Sequence, residues 1–215
     1  MTLTVEVTPD GTFTTLVQDA LRMICPCQSV AVNPATGAVS ISAMACLCYC
    51  DHRAGCNMLA DLVNDSRAML IEYSSGSSGY KDNEVWWATH DVDFGDRDVC
   101  GNTLIPAWLQ LAHELVHARL NSTINNEDEA VRGENQVRLE RCIPMREQYK
   151  NETVPEFREG VLDDSNRPEY GCDCSFFRGG LSRMLGRWWC MLHSMYCFPR
   201  PIIRIRTANP QGGSR

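Results

Sequence analysis

The stretch LAHELVHARL, Leu111 to Leu120, holds two of the chain's five histidines four residues apart, with a glutamate directly after the first. On an α-helix residues i and i+4 share a face one turn apart, so His113 and His117 can aim imidazole nitrogens at one ion about 2 Å from each. Glu114 projects about 100° further round, near enough to reach a water on that ion without ligating it. Three fixed positions recur by chance in something on the order of one chain in a hundred of this size. The setting argues against chance. Trp108, Leu111, Ala112, Leu115, Val116 and Leu120 put apolar surface round much of the helix, and imidazole nitrogens buried there need partners, of which an ion supplies one. The stretch predicts a buried helix from about Pro106 to Asn121 that holds zinc, with Glu114 taking a proton from water and returning it to a leaving amine. The alternative is a buried helix with two ordinary histidines.

A catalytic zinc needs a third protein ligand and an open position. Asn121 to Asn125 reads as a break, and a second helix is expected from Asn126, where Asn126 and Glu129 have capping-box spacing, to about Arg141 before Pro144. It offers Glu127, Glu129, Glu134 and Glu140. In a tight helix hairpin the positions level with the histidines fall between residues 127 and 134. Glu127 and Glu134 share a helical face, so Glu127 is the preferred ligand and Glu134 the alternative third ligand, the other serving to hydrogen-bond a ligand histidine or an arginine.

These residues, HELVHARL (113–120) followed by EDEAVRGENQVRLERCIPMREQY (127–149), resemble a known group. The pattern HELxHA, a glutamate three before an Ala/Thr-Val pair, Glu-Asn-x-x-Arg and Arg-x-x-Tyr looks like that of the zinc metallopeptidase effectors that bacteria inject through type III and related secretion systems. Distantly, it is also similar to clostridial neurotoxin light chains. Here the elements are His113 to Ala118, Glu127 with Ala130 and Val131, Glu134 to Arg138, and Arg146 to Tyr149. The resemblance implies that Arg146 and Tyr149 hold the oxyanion of the tetrahedral intermediate. A salt-bridging Arg146 and a core-packing Tyr149 remain the alternative. The chain departs from the pattern in a shorter link between His117 and Glu127 and in a glycine displaced to Gly133, which bears on the choice between Glu127 and Glu134. The resemblance further implies a toxin or effector, secreted or delivered into a target cell, that cuts protein or peptide substrates, and a secretion-system or polymorphic-toxin carrier chain as a possible larger context.

The remaining sequence bounds this reading. A chain of 215 residues with 44% hydrophobic content can bury one core. No apolar run approaches the roughly 18 to 20 residues that span a bilayer, and no signal peptide is visible at the start. The formal charge is −7, yet the residues from Ser175 onward carry seven arginines and no acid, so the part before them is far more acidic. With no recognition motif and an acidic body, nucleic acid is not expected as a partner. Twelve cysteines, in C-x-C and C-x-C-x-C spacings, are rare in reducing cytosol. They favour disulfides over a structural zinc cluster and suggest an oxidising compartment such as the periplasm. Disulfides without a signal peptide suggest a domain cut from a larger exported protein or one delivered by a dedicated machine.

Periodicity predicts a strand at Val5 to Thr8, a helix at Phe13 to Met23, a hairpin round Asn33 to Gly37, a helix near Met58 to Val63 and a strand at Ala68 to Tyr73. It then predicts a flexible loop at 74–84, a strand EVWWATHDVDF (84–94) and a helix round Leu181 to Tyr196. The 84–94 strand precedes the zinc helix as the edge strand that pairs with extended substrate does in metallopeptidases of this broad class, a likeness that would put Trp86 and Trp87 on opposite faces, one inward and one toward the cleft; ordinary strand aromatics are the preferred alternative. His52 and His90 are expected to be structural, and His193 has no assigned role. The expected architecture is a single α+β, zincin-like, cysteine-rich domain: a sheet-rich part at 1–100, zinc-site helices at 101–150, and a C-terminal helix with a basic end at 151–215. The expected function is zinc-dependent peptide-bond hydrolysis with one catalytic ion. A non-catalytic zinc-stabilised binding module and a zinc amidase acting on cell-wall peptide are the alternatives.

Overall fold

The computed structural model describes residues 3–43, 54–98, 101–121, 127–141, 143–149 and 152–153. The expected C-terminal helix, His52, His193, Asn126 and nine of the cysteines lie outside them.

The chain is a mixed α+β fold. Its elements are β1 (Leu3–Val5), α1 (Thr12–Ile24), β2 (Gln28–Val32), β3 (Val39–Ala43), α2 (Ala54–Val63), β4 (Met69–Tyr73), β5 (Gly79–Lys81), β6 (Glu84–Trp87), β7 (Val92–Asp93), β8 (Leu104–Ile105), α3 (Ala107–Leu120), α4 (Glu127–Glu140), β9 (Gln148–Tyr149) and β10 (Glu152–Thr153). The main sheet has the order β1-β4-β6-β5, in which β5 alone runs antiparallel to its neighbour. Alternation sets its inward face: Leu3, Val5, Met69, Ile71, Val85 and Trp87 are buried. No helix among the described residues is long and apolar enough to cross a membrane.

Three expectations are corrected. The first strand begins earlier than Val5, because Leu3 is the residue in register with Met69, while Val7 is exposed. The 74–84 segment is not wholly a loop, since β5 turns into β6 through Asp82 and Asn83, both at positive φ (53° and 69°), with Lys81 opposite Glu84. Two-residue hairpin loops of this hand need residues that tolerate the left-handed region, and Asp and Asn are the non-glycine residues that do. The 84–94 strand is broken: β6 lies inside the sheet between β4 and β5, and β7 pairs separately with β8. The sheet edge beside the site is therefore β5. Trp87 is buried and donates its indole N–H to the Ala107 carbonyl at 2.8 Å, and neither tryptophan lines the cleft.

Helix α3 lies in the middle, packed against α1, α2, α4, β5 and β6. That position explains its apolar circumference: ten of its residues are buried. It stops at Asn121, which takes the left-handed cap conformation (φ 52°). Arg67, paired with Asp65, donates to the Ala118 carbonyl at 2.9 Å and so holds the end of the helix from the side. The Cys25–Cys56 disulfide ties the end of α1 to α2. Glu140 of α4 accepts the Ala54 N–H at 2.8 Å, joining the start of α2 to the return helix.

Gly133 sets the spacing of α3 and α4. A Cβ there would meet the Val116 methyl carbons at 2.6 and 2.9 Å, and a β-branched side chain in a helix has little room to turn away. Gly133→Ala gains about 1 kcal/mol of helix propensity but overpacks the contact at a cost of about 1–3 kcal/mol. The variant should therefore unfold a few degrees below the parent in a thermal melt. An equal or higher melting temperature would show that the helices are not held this close.

Candidate metal centre

His113 and His117 project from adjacent turns of α3, and Glu127 opens α4 opposite them. The Glu127 Oε2 atom lies 3.3 Å from His113 Nε2 and 3.4 Å from His117 Nε2. Two ligand atoms each about 2.0–2.1 Å from a tetrahedral ion sit about 3.3 Å apart. The three ligand atoms lie within 4.8 Å of one another, and the imidazole planes stand 75° apart, so this group can hold a metal ion. The sequence left Glu127 and Glu134 as rival ligands. The structure turns Glu127 toward both Nε2 atoms and Glu134 toward the opposite side of one ring.

Glu134 is fully buried and accepts from His113 Nδ1 at 3.1 Å, fixing the tautomer that leaves Nε2 free to ligate. Its other partners are Arg138 Nε at 2.7 Å and Arg146 Nη1 at 3.1 Å. Burial alone would raise the Glu134 pKa, but Arg146, Arg138 and His113 hold the carboxyl far below its usual range. His117 has no such support: its Nδ1 is buried and finds no hydrogen-bond partner among the described residues. Burial works against a charged His113, yet hydrogen bonds to Glu127 and Glu134 outweigh it and push its pKa up to about 9. Without an ion, the cluster of carboxylates draws a proton to the place where a cation fits.

Glu114 is not one of the three convergent groups. It lines a cavity of about 270 Å³ beside His113, and burial raises its pKa, with the nearby histidines opposing. Tyr149, in β9, stacks on His113 with ring centroids 5.5 Å apart and 24° between planes. Burial and a hydrogen bond to Glu127 keep its phenol protonated well above the ordinary range. Arg146 is buried, not on the surface. Its guanidinium lies 4.7 Å from the Tyr149 ring centroid, and its Nη2 faces Asp96 at 3.4 Å while Nη1 faces Glu134. The structure thus brings all of His113, Glu114, His117, Glu127, Glu134, Arg146 and Tyr149 to one place. Glu129 is exposed, Glu140 serves α2, and His90 contributes only its carbonyl, which accepts from Gln110 at 3.1 Å.

Sequence reasoning missed Asp96, Gln110, Ser78 and Phe94, which complete the cavity wall. Gln110 had a signal, being three residues before His113 on the same helix face; the others come from turns far along the chain. Comparison with protein-family models, with curated proteins and with solved structures finds no match to this chain.

Two outcomes follow. Glu134→Gln should weaken metal affinity about 10- to 100-fold, as loss of a group that orients a ligand does, and Glu127→Ala should weaken it more, both read by competition with a chromogenic chelator. The reverse order would put Glu134 on the ion. Because His113 must lose a proton before Nε2 can ligate, affinity should rise about tenfold per pH unit through neutrality and level off above about pH 9. An affinity flat between pH 6 and 9 would contradict this.

Proposed function

We propose that the chain is a zinc-dependent metalloendopeptidase with a zincin-like arrangement of sheet and helices. The observation that carries the reading is the convergence of two imidazole nitrogens and a carboxylate on one point, with a second carboxylate, Glu114, beside it in an open cavity. The donor set of two histidines and one carboxylate, without sulfur, is typical of catalytic zinc and leaves one position for water or substrate. His113, His117 and Glu127 would hold the zinc ion, which would supply a Lewis acid for the scissile carbonyl and its attacking water.

The side chains divide the remaining work. Glu114, its pKa raised by burial, takes up the proton of the attacking water and passes it to the leaving amine. Tyr149 stays a neutral phenol, and its single O–H, which is directed to Glu127 in the ion-free arrangement, would turn to the oxygen on which charge develops once Glu127 ligates the ion. Arg146 is committed to Glu134 and Asp96, so its part is to position: it fixes the carboxylate that fixes His113, and its guanidinium lies against the Tyr149 ring. Ser77 and Ser78 lead from the cavity into β5, whose outer edge is unpaired among the described residues and suits the backbone of an extended peptide. The Cys25–Cys56 disulfide is in keeping with an exported or delivered protein, and the effector-like motifs support a role as a toxin acting on proteins of a target cell.

The test is hydrolysis of an unfolded protein substrate by zinc-loaded protein. Glu114→Gln should keep one zinc per chain and lose at least about 10²-fold in kcat, while Tyr149→Phe should lose about 10²- to 10³-fold with little change in KM. Undiminished turnover in Glu114→Gln, or no hydrolysis by the parent, would remove the peptidase reading.

A further inference from the structure

The cavity does more than expose Glu114. Phe94 lines it and is 53% exposed, so part of its ring is open to be covered by an entering side chain. Its backbone is set deliberately. Asp93 accepts the Gly95 N–H at 2.9 Å, and Gly95 takes a left-handed conformation (φ 76°) that reverses the chain directly after Phe94. Just before it, Val92 of β7 pairs with Ile105 of β8, and Phe94 and buried Ile105 both line the cavity and form its apolar wall.

The facing wall is polar but spent. The Ser78 hydroxyl accepts from the Ala88 N–H at 3.1 Å and donates to Gln110 Oε1 at 3.3 Å, while Gln110 Nε2 donates to the carbonyls of His90 and Ile105. At the back, Asp96 faces Arg146. A charged side chain entering would lose its water and find these partners engaged, and Glu114, the remaining carboxylate of the wall, is reserved for the attacking water in the peptidase reading; an apolar side chain loses nothing and covers Phe94 and Ile105.

We propose that this cavity is the specificity pocket of the site and takes a large apolar side chain, aromatic or branched aliphatic, from the substrate residue flanking the scissile bond. The proposal rests on the peptidase reading. Phe94 is the specificity-determining residue, and its exposure means that truncation leaves the fold intact.

The experiment titrates zinc-loaded protein by calorimetry with acetohydroxamate and with N-acetyl amino-acid hydroxamates bearing Phe, Leu, Ala, Lys or Asp side chains, so that no turnover is needed. The Phe and Leu compounds should bind about tenfold or more tightly than the Ala, Lys and Asp compounds. Phe94→Ala should erase most of that preference while leaving acetohydroxamate affinity unchanged. Side-chain-independent affinities, or preference for Lys or Asp, would overturn the pocket and leave the metal centre standing. Failure of acetohydroxamate itself to bind would overturn the peptidase reading and the pocket with it.

Discussion

Everything at the site depends on a buried carboxylate. Glu134 has no exposed surface, yet it bridges α3 through His113, its own helix through Arg138, and the following segment through Arg146. Removing such a group from water costs several kcal/mol unless its partners are well placed. Here two guanidinium groups and an imidazole surround it, and the arrangement fixes in one stroke the tautomer of a ligand histidine, the course of the chain after α4 and the place of Tyr149. Asn135 adds a second tie, since its side chain both accepts the Arg146 N–H at 2.7 Å and donates to the Arg146 carbonyl at 3.1 Å.

The charge balance of the cluster points the same way. Among the described residues, four carboxylates, Asp96, Glu114, Glu127 and Glu134, gather at the site beside two guanidinium groups, Arg138 and Arg146. Such a concentration of carboxylates in a largely buried setting favours a cation there. The raised pKa of His113 is the response of the same field when the only available cation is a proton.

The grouping of the candidate metal-site side chains was largely legible in the sequence, and its surroundings were not. HELVH fixes which side chains share a helix face whatever surrounds it, so both histidines and Glu114 fall where the spacing places them. The hairpin of α3 and α4 was readable from the break after Asn121 and the acidic start at Glu127. The choice between Glu127 and Glu134 was not, because it turns on the closeness of the two helices at Gly133 and on where Arg146 returns, a contact across the chain. The edge strand was misplaced for a related reason: Trp86 and Trp87 carry the stronger strand signal, but such β-favouring aromatics do not tell a central strand from an edge one, and the short Gly79–Lys81 segment is what an edge looks like. Phe94 and Asp96 were invisible because only a turn at Gly95 brings them to the site.

The measurement that tests this account most directly is zinc K-edge X-ray absorption on the purified chain, beside a His113→Ala/His117→Ala double variant. The account predicts one zinc with only nitrogen and oxygen neighbours at about 2.0–2.1 Å, including imidazole scattering, and loss of that signal in the variant. Sulfur neighbours at about 2.3 Å, or a signal that survives the variant, would place the zinc among cysteines and contradict it.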